Sequence, residues 1–524
     1  MDQKAPVVVV VVPFPAQGHL NQLLHFCCLI SSYGIPVHYV GSATHNRQAK
    51  QRVHGWDPLT ISNIHFHDLP IPPFLAPPPN PHIKFPTHLQ PAFDASTHLR
   101  DPLAALLRSL SPTSRRIAVV HDPLMAFTAQ DAVSVTNAET YTLHGVSAFV
   151  VFSHIWKSLG NPTFPGIANP NDLPPLAGST SDQFLDFIAR QYEYMMFDSG
   201  DLYNTCKSME GAFLDLLTQE QFTGKKRQWA IGPLNPLVPD TSCDSRRQHK
   251  CLEWLDKQPP GSVLYVAFGT TVSIPDDQIM EIAIGLESSN QRFIWVLREA
   301  DKGDIYAEEE EARKAKLPNG YEERVEGVGL IEREWAPQLE ILAHPSTGGF
   351  LSHCGWNSCM ESISMGVPIA AWPMHSDQPR NSFLVTEVLK VGVVVGEWAQ
   401  HDEVVCSVTI EGAISKLMVS EEGEGMRKRA KELGRAVRES VSGGGSSRVD
   451  LESFIAHIRA FKTHFSDLSK DEECYLKAIG KERGGDYTTW KLRKVLDQDR
   501  GIDSVPKVAP SCGQGRQAPS IDQG

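Results

Sequence analysis

The sequence predicts an α/β protein built on two parallel sheets, each covered by helices on both faces. Three observations predict it. Val7 to Val12 is an unbroken β-branched run that ends in the turn Pro13 to Gly18 and passes into His19 to Ile30, whose apolar residues recur at helical spacing. A second series of short apolar runs alternating with amphipathic segments starts near Gly261. Between the two, Ile231 to Arg247 is rich in Pro, Gly and polar residues, the composition of an interdomain linker. The domains expected are therefore 1–240 and 241–464, followed by an atypical tail, 465–524, expected to be disordered from about Asp499.

In the first series, Pro36 to Val40 reads as a second strand and Ile117 to Val120 as a later one. Pro70 to Pro91 is expected to be a loop, because each Pro removes a backbone donor and fixes φ. Residues 157–185, rich in Pro, Gly and Asn, are expected to be irregular as well, as a lid, a pocket wall or a passive surface excursion. In the second series, Ser262 to Phe268 predicts a strand, Gly269 to Thr271 a turn, Asp276 to Glu287 a helix and Arg292 to Leu297 a strand. The run Glu308 to Glu311, followed by Arg313, Lys314 and Lys316, reads as a solvated insertion.

Composition narrows the function. The 524 residues include 62 acidic and 49 basic side chains, a formal charge of -13, which argues against a protein built to coat nucleic acid or anionic lipid. A hydrophobic content of 41% is enough for substantial cores, and the partner expected is a small molecule. The valine run is too short for a signal-peptide core and is followed by Pro13 and Pro15. Nowhere does an apolar stretch reach the ~18 residues of a membrane span. A cytoplasmic protein without membrane insertion is expected. The ten cysteines show no zinc-site spacing. Cys354 and Cys359 are expected to point apart, so neither metal nor disulfide is assigned.

The chemistry is concentrated between Trp335 and Gln378. Gly349 to Ser352 reads as a strand, His353 to Trp356 as a tight turn and Asn357 onward as a helix, with Ser358 and Glu361 at the spacing of a capping box. A helix starting after a glycine turn at the carboxyl end of a strand binds anions through its free N–H groups and dipole. Capping boxes are common, and a purely structural strand–turn–helix competes with this reading. The conjunction with His353, Asn357 and Ser358 at the helix entrance, Trp335 upstream, and Asp377 and Gln378 downstream could hold a phosphate, a flat base and a polyol. In the first half, His19 and Asp122 both follow strands at the carboxyl edge of the sheet. Alone, His19 could be a polar cap. If the two meet, Asp122 orients the imidazole and leaves its other nitrogen to take a proton. His121 should be turned away by strand alternation.

From Trp335 to Gln378 the sequence closely resembles the signature box of the plant secondary-product UDP-glycosyltransferases, end to end. The resemblance implies that Trp335 stacks on uracil, that the backbone of Ala336 and Gln338 bonds the base edge, and that Glu361 grips the ribose. It also implies that His353, Asn357 and Ser358, with Trp356 in the same turn and Thr270 nearby, belong to the diphosphate site, and that Asp377 and Gln378 bind the sugar. The opening Pro13-Phe-Pro-Ala-Gln-Gly-His19 and the segment Val119-Val-His-Asp122 resemble that family's catalytic His and its Asp partner. The resemblance extends to about residue 464. It implies the GT-B arrangement of two facing Rossmann-like domains, UDP-glucose as donor with UDP-xylose also open, and inverting transfer without metal.

The variant Gly18-His-Leu-Asn-Gln22-Leu-Leu-His25 departs from the many family members that carry a proline soon after the His. With Ser352 to Ser362 and Pro373 to Asn381, it is similar to the zeatin O-glucosyltransferases, cytokinin-modifying members of the family. The acceptor implied is the side-chain hydroxyl of cis- or trans-zeatin, with a flavonoid or other phenolic as alternative, and the enzyme implied is a monomer. Phe85, Phe93, Met125, Phe127 and Phe149 are candidates for an apolar acceptor wall, each of which could equally be core. A nicotinamide-dependent oxidoreductase would need G-x-G-x-x-G after the first strand, where only Gly18 stands. A sugar-nucleotide or hormone binding protein with a dead site is opposed by the presence of both His19 and Asp122.

Overall fold

β1 (Val7–Val12) is buried on both faces over its whole length, which is why it reads as an uninterrupted apolar run rather than an alternating one. The computed structural model describes residues 5–53, 56–159, 164, 173–175, 178–237, 249–306, 313 and 315–460. The boundary at 240, the end of the linker, the acidic run 308–311 and the tail 465–524 lie outside the described residues.

β1 is joined in the first sheet by β2 (Val37–Gly41), β3 (Ile64–Asp68), β4 (Arg116–His121), β5 (Ala138–His144), β6 (Gly200–Tyr203) and β7 (Arg227–Ala230), all parallel, in the order β3-β2-β1-β4-β5-β6-β7. The second sheet comprises β8 (Val263–Ala267), β9 (Arg292–Val296), β10 (Gly329–Glu332), β11 (Thr347–Ser352), β12 (Ile369–Ala371) and β13 (Gly392–Val394), again parallel, in the order β10-β9-β8-β11-β12-β13. The two sheets are the GT-B architecture that the sequence predicts. In each, the strand order reverses at one point, between β1 and β4 and between β8 and β11, and the loops leaving those pairs frame a crevice at the carboxyl edge. The loops concerned lead to His19 and Asp122 in one sheet and to Thr270 and His353 in the other.

Three features differ from the expectations. Pro91 is not in a loop: it sits in the first turn of helix Gln90–Ser96, where a missing N–H costs nothing. Cys354 and Cys359 do not point apart: both are buried in one cluster, and the Cys354 thiol is near enough to raise the pKa of Cys359. The last described helix, Ser446–Arg459, does not belong to the second sheet although it falls within 241–464. Leu451, Phe454, Ile455 and Ile458 are buried in one cluster with Leu23, Tyr141 and Trp229 of the first domain. Its C-terminal carbonyls are met by Arg116, whose Nη1 donates to His457 O at 2.7 Å, the favourable placement of a cation at a helix C-terminus.

The domains also share a core. Phe149, Phe152, Tyr203 and Phe213 from the first pack in one cluster with Trp356, Met360, Ile363 and Leu384 from the second. Fully burying side chains of this size contributes ~1.5–3 kcal/mol each, so this seam holds the crevice walls in register. Among the described residues, no helix is long and apolar enough to cross a membrane.

Candidate active site

His19 lies in the first turn of helix Gln17–Ser31, and Asp122 follows β4, which runs beside β1 with Val12 opposite His121. That register puts both residues on one edge: His19 Nδ1 donates to Asp122 Oδ2 at 2.6 Å. Asp122 is fully buried and fixed from three sides. Its N–H donates to Val12 O at 3.0 Å, its Oδ1 accepts from Leu124 N–H at 2.9 Å, and its other oxygen faces the imidazole. His19 keeps 27% of its side-chain exposure, so Nε2 has access to the crevice. Burial pulls its pKa down, but the charge and hydrogen bond of Asp122, with a further contribution from Asp377, raise it above the ordinary histidine value. The expected pair meets, and its tautomer is set with Nδ1 protonated and Nε2 free to accept a proton.

His121 is turned away, as alternation predicts, into a second buried pair. Its Nδ1 donates to Asp122 O at 2.9 Å and its Nε2 faces Asp198 Oδ1 at 3.1 Å. Asp198 is held below the usual carboxylate range, because His121, Lys226 and a hydrogen bond from Thr142 outweigh the effect of burial. Nothing local in the sequence marks Asp198.

The donor box folds around β11 and helix Trp356–Met365. His353 occupies a slot made by two glycines: a Cβ on Gly269 would lie 2.6 Å, and one on Gly355 2.5 Å, from its Nε2. Burial drops its pKa to about 4, and among the described residues its buried Nδ1 has no partner. A neutral imidazole with a spare polar atom beside a helix N-terminus suits an anion that accepts hydrogen bonds. Cys354 (φ 62°), in the turn after β11, and Ser376 (φ 56°), near the end of the box, hold left-handed backbone, strain of the kind that gathers at ligand sites.

Ser358 and Glu361 do not form a capping box. The helix begins at Trp356 with Gly355 as its N-cap, and both side chains instead accept from Gln338 Nε2, Ser358 Oγ at 3.0 Å and Glu361 Oε2 at 2.7 Å. Desolvation raises Glu361 to about 7 despite that bond. Half-buried Trp335 and buried Ala336 lie beside this group, and Gln338 N–H donates to Ala336 O at 2.9 Å. Thr270 follows β8, and its carbonyl accepts from Asp301 N–H at 2.7 Å.

The Trp356 indole is buried in the interdomain seam, where Nε1 donates to Asn204 O at 2.8 Å, so at the helix start this residue offers its backbone N–H rather than its ring. Gln378 Oε1 accepts from the N–H groups of Met374 and His375 at 2.9 and 3.0 Å, and its amino group also lies 3.4 Å from His375 Nε2. Asp377, raised by burial, accepts from Asn381 Nδ2 at 2.8 Å.

The two halves meet at Asn357, whose Nδ2 donates to Gly18 O at 2.8 Å, one residue before His19. Behind it lies Gln22, within the stretch that lacks a proline soon after His19. Its Nε2 donates to Gly145 O at 2.9 Å and its Oε1 accepts from Asn204 at 2.8 Å, the residue that also receives Trp356. A proline there could make neither bond.

Of the proposed acceptor wall, Phe85, Phe93 and Met125 belong to one buried cluster with Phe14, Phe184 and Phe187. Phe14 is edge-on to His19 at 5.2 Å, and Phe85 edge-on to His375 at 5.9 Å. Phe127 packs instead on Tyr194, and Phe149 lies in the interdomain core, so neither forms part of this wall. Phe14, Phe184 and Phe187 were not singled out from sequence, because periodicity alone does not distinguish a wall from a core. His249, Cys251 and Glu332 have potential ligand atoms within 4.8 Å of one another. His249 Nδ1 accepts from Cys251 N–H at 3.2 Å, which puts the ring proton on Nε2, and Lys250 already pairs with Glu332 at 3.1 Å, so the cluster is poorly arranged for a cation.

Two parallel sheets of this order, with a histidine–aspartate pair across from a helix entrance, are the arrangement that the resemblance to the glycosyltransferases implies. The chain matches the family described as "Glycosyltransferase, N-terminal domain" over residues 5–236 and that described as "UDP-glucoronosyl and UDP-glucosyl transferase" over 186–411. It is 54% identical to the zeatin O-glucosyltransferase of Phaseolus lunatus, covering 86% of this chain and 97% of that protein. It is 50% identical to the zeatin O-xylosyltransferase of Phaseolus vulgaris, covering 87% and 99%. Among solved structures, a UDP-glucosyltransferase from Polygonum tinctorium, described as capable of glucosylating indoxyl, superposes with a TM-score of 0.70 at 28% identity over 87% of this chain and 99% of that one. This chain belongs to the UDP-glycosyltransferase family.

Proposed function

We propose that this chain is an inverting, UDP-glucose-dependent O-glucosyltransferase whose acceptor is the side-chain hydroxyl of zeatin. The observation that carries this is the bond from Asn357 to Gly18 O, which brings the donor box and the His19–Asp122 pair to one crevice. His19 Nε2 takes the acceptor hydroxyl proton as the oxygen attacks the anomeric carbon. The bond from that carbon to the diphosphate oxygen breaks on the opposite face, and the electron pair leaves with UDP. Charge developing on UDP is met by the N–H groups at the start of helix Trp356–Met365 and by His353, preorganised donors of the kind that dominate such stabilisation. Asp122 stabilises the imidazolium that forms. The α-linked donor gives a β-glucoside.

The aromatic cluster around Phe14, next to His19, supports a flat acceptor, and the identity to zeatin-modifying relatives supports a cytokinin. Xylosyl transfer is favoured as a second reading by the 50% identity to a zeatin O-xylosyltransferase. The test is a mass-spectrometric screen of UDP-glucose and UDP-xylose against cis-zeatin, trans-zeatin and a panel of flavonoids. Hexose addition to zeatin is expected, and products confined to phenolics would overturn the acceptor assignment.

A further inference from the structure

The base end of the donor box is built by both domains. Trp335 belongs to the second domain, but Arg52, the last residue of helix Ala43–Arg52 in the first, places its guanidinium carbon 4.7 Å from the indole centroid. Arg298, from the second domain, lies at 5.7 Å from the same ring. One carboxylate holds both cations: Asp301 accepts from Arg52 Nη1 at 2.5 Å and Nη2 at 3.2 Å, and from Arg298 Nη2 at 2.5 Å.

The backbone of Asp301 completes the junction. Its N–H donates to the carbonyl of Thr270, and its carbonyl accepts from His88 Nε2 of the first domain at 2.9 Å. Arg52 Nη1 also lies 3.4 Å from Gln17 Oε1, in the turn of helix that carries His19. Among the described residues, Arg298 Nη1 is buried with no hydrogen-bond partner.

An interdomain ion pair would by itself be weak grounds for a functional role, because desolvation offsets most of its gain. Three further facts point to a ligand. The guanidinium lies over an aromatic ring rather than only against its carboxylate. An unpartnered guanidinium N–H is buried beside it. Among the described residues, two cations share one carboxylate at this end of the crevice. A planar base with carbonyl oxygens on its edge, attached to a diphosphate, matches that arrangement: its face suits the indole and its oxygens suit the spare N–H donors.

We propose that Arg52 is a donor-recognition residue supplied by the first domain, which holds the base end of the nucleotide sugar at Trp335 and so makes donor binding and closure of the two domains a single event. The proposal rests on the reading of Trp335 as the base platform. It predicts that Arg52 senses the base and not the diphosphate alone. The test uses the full chain with Arg52→Gln, Arg52→Lys and Trp335→Ala, and compares the affinity for UDP by calorimetry with inhibition of turnover by inorganic diphosphate.

Arg52→Gln is expected to weaken UDP about two- to thirtyfold, the span of a partly desolvated cation–π contact, and to leave inhibition by diphosphate unchanged. Arg52→Lys, which keeps the charge facing Asp301 but loses the planar group, is expected to retain the melting midpoint while weakening UDP, and it serves if the Gln variant does not fold. Unchanged or tighter UDP binding in both Arg52 variants would overturn the proposal. Equal weakening of UDP and diphosphate would also overturn it, showing a purely structural tie between domains. The platform reading fails separately, if Trp335→Ala binds UDP as well as the parent chain does.

Discussion

Asp122→Asn isolates the contribution of the aspartate without disturbing the backbone. Asn can keep the acceptor role toward Leu124 N–H, because Oδ1 is retained, and this turns its amino group toward His19 Nδ1. The imidazole must then present a lone pair at Nδ1 and carry its proton on Nε2, the nitrogen that has to accept the acceptor's proton. Restoring the active tautomer sets two N–H groups against each other in a buried site. The charge-assisted bond lost is worth ~1.5–3 kcal/mol, and a buried unsatisfied donor costs a further ~1–3 kcal/mol. At about 1.36 kcal/mol per decade, kcat should fall about 10²- to 10⁴-fold. The pH profile supplies a second readout. Asp122 holds the pKa of His19 up, and a base acts when neutral, so the rate rises as pH passes His19's pKa. Removing the charge lowers that pKa, and the acid limb of kcat/KM should move to lower pH while the plateau drops. The assay is UDP release from UDP-glucose and zeatin across about pH 5 to 9, alongside calorimetric affinity for UDP, which should be unchanged. An undiminished plateau, or an acid limb displaced upward, would refute the role given to the pair.

Other outcomes follow from the same geometry. His19→Ala should lower kcat by at least about 10² with the affinity for UDP-glucose near normal; turnover close to that of the parent would remove it as the base. Glu361 sits near pKa 7 because burial disfavours its charge, so it is neutral below and ionised above that value. As the ionised form is the better acceptor for ribose hydroxyls, affinity for UDP-glucose should rise between about pH 6 and 8 by less than tenfold per unit, and Glu361→Gln should flatten the dependence. A slope that persists in the variant would exclude Glu361 as its source. Gln22→Leu leaves the Gly145 carbonyl and Asn204 amide without their partner, at ~1–3 kcal/mol each, and should lower the melting midpoint and kcat more than it raises the donor KM. Turnover should survive dialysis against a chelator, and activity restored only by a divalent cation would require a different way of stabilising the leaving group.

The residues that could be placed from sequence are those whose role follows from a strand ending at the sheet edge. His19, Asp122, Thr270 and His353 each follow a central strand by a few residues, so pattern and turn were enough to bring them to the crevice. Local spacing was a poorer guide wherever a distant partner competes. Ser358 and Glu361 have capping-box spacing, yet Gln338, twenty residues upstream of Ser358, takes both. Trp356 lies in the middle of the signature box but donates to Asn204 across the interface. Cys354 takes a left-handed backbone, which strand and helix patterns do not predict, and it shares a buried cluster with Cys359. Phe149 and Phe85 are alike in sequence terms, and only tertiary packing sends one to the interdomain seam and the other to the buried cluster beside His375. The pairing of Arg52 with Asp301 spans 249 residues and leaves no trace in either segment.

The return of helix Ser446–Arg459 to the first sheet has a consequence for biosynthesis. While the ribosome is still producing the second half, the opening domain waits with Leu23, Tyr141 and Trp229 lacking the greasy partners that Phe454 and Ile458 will bring. For that interval it is a natural client for chaperones, and a transcript cut short before about codon 446 would yield a front half prone to clump even though every strand of its sheet had been made.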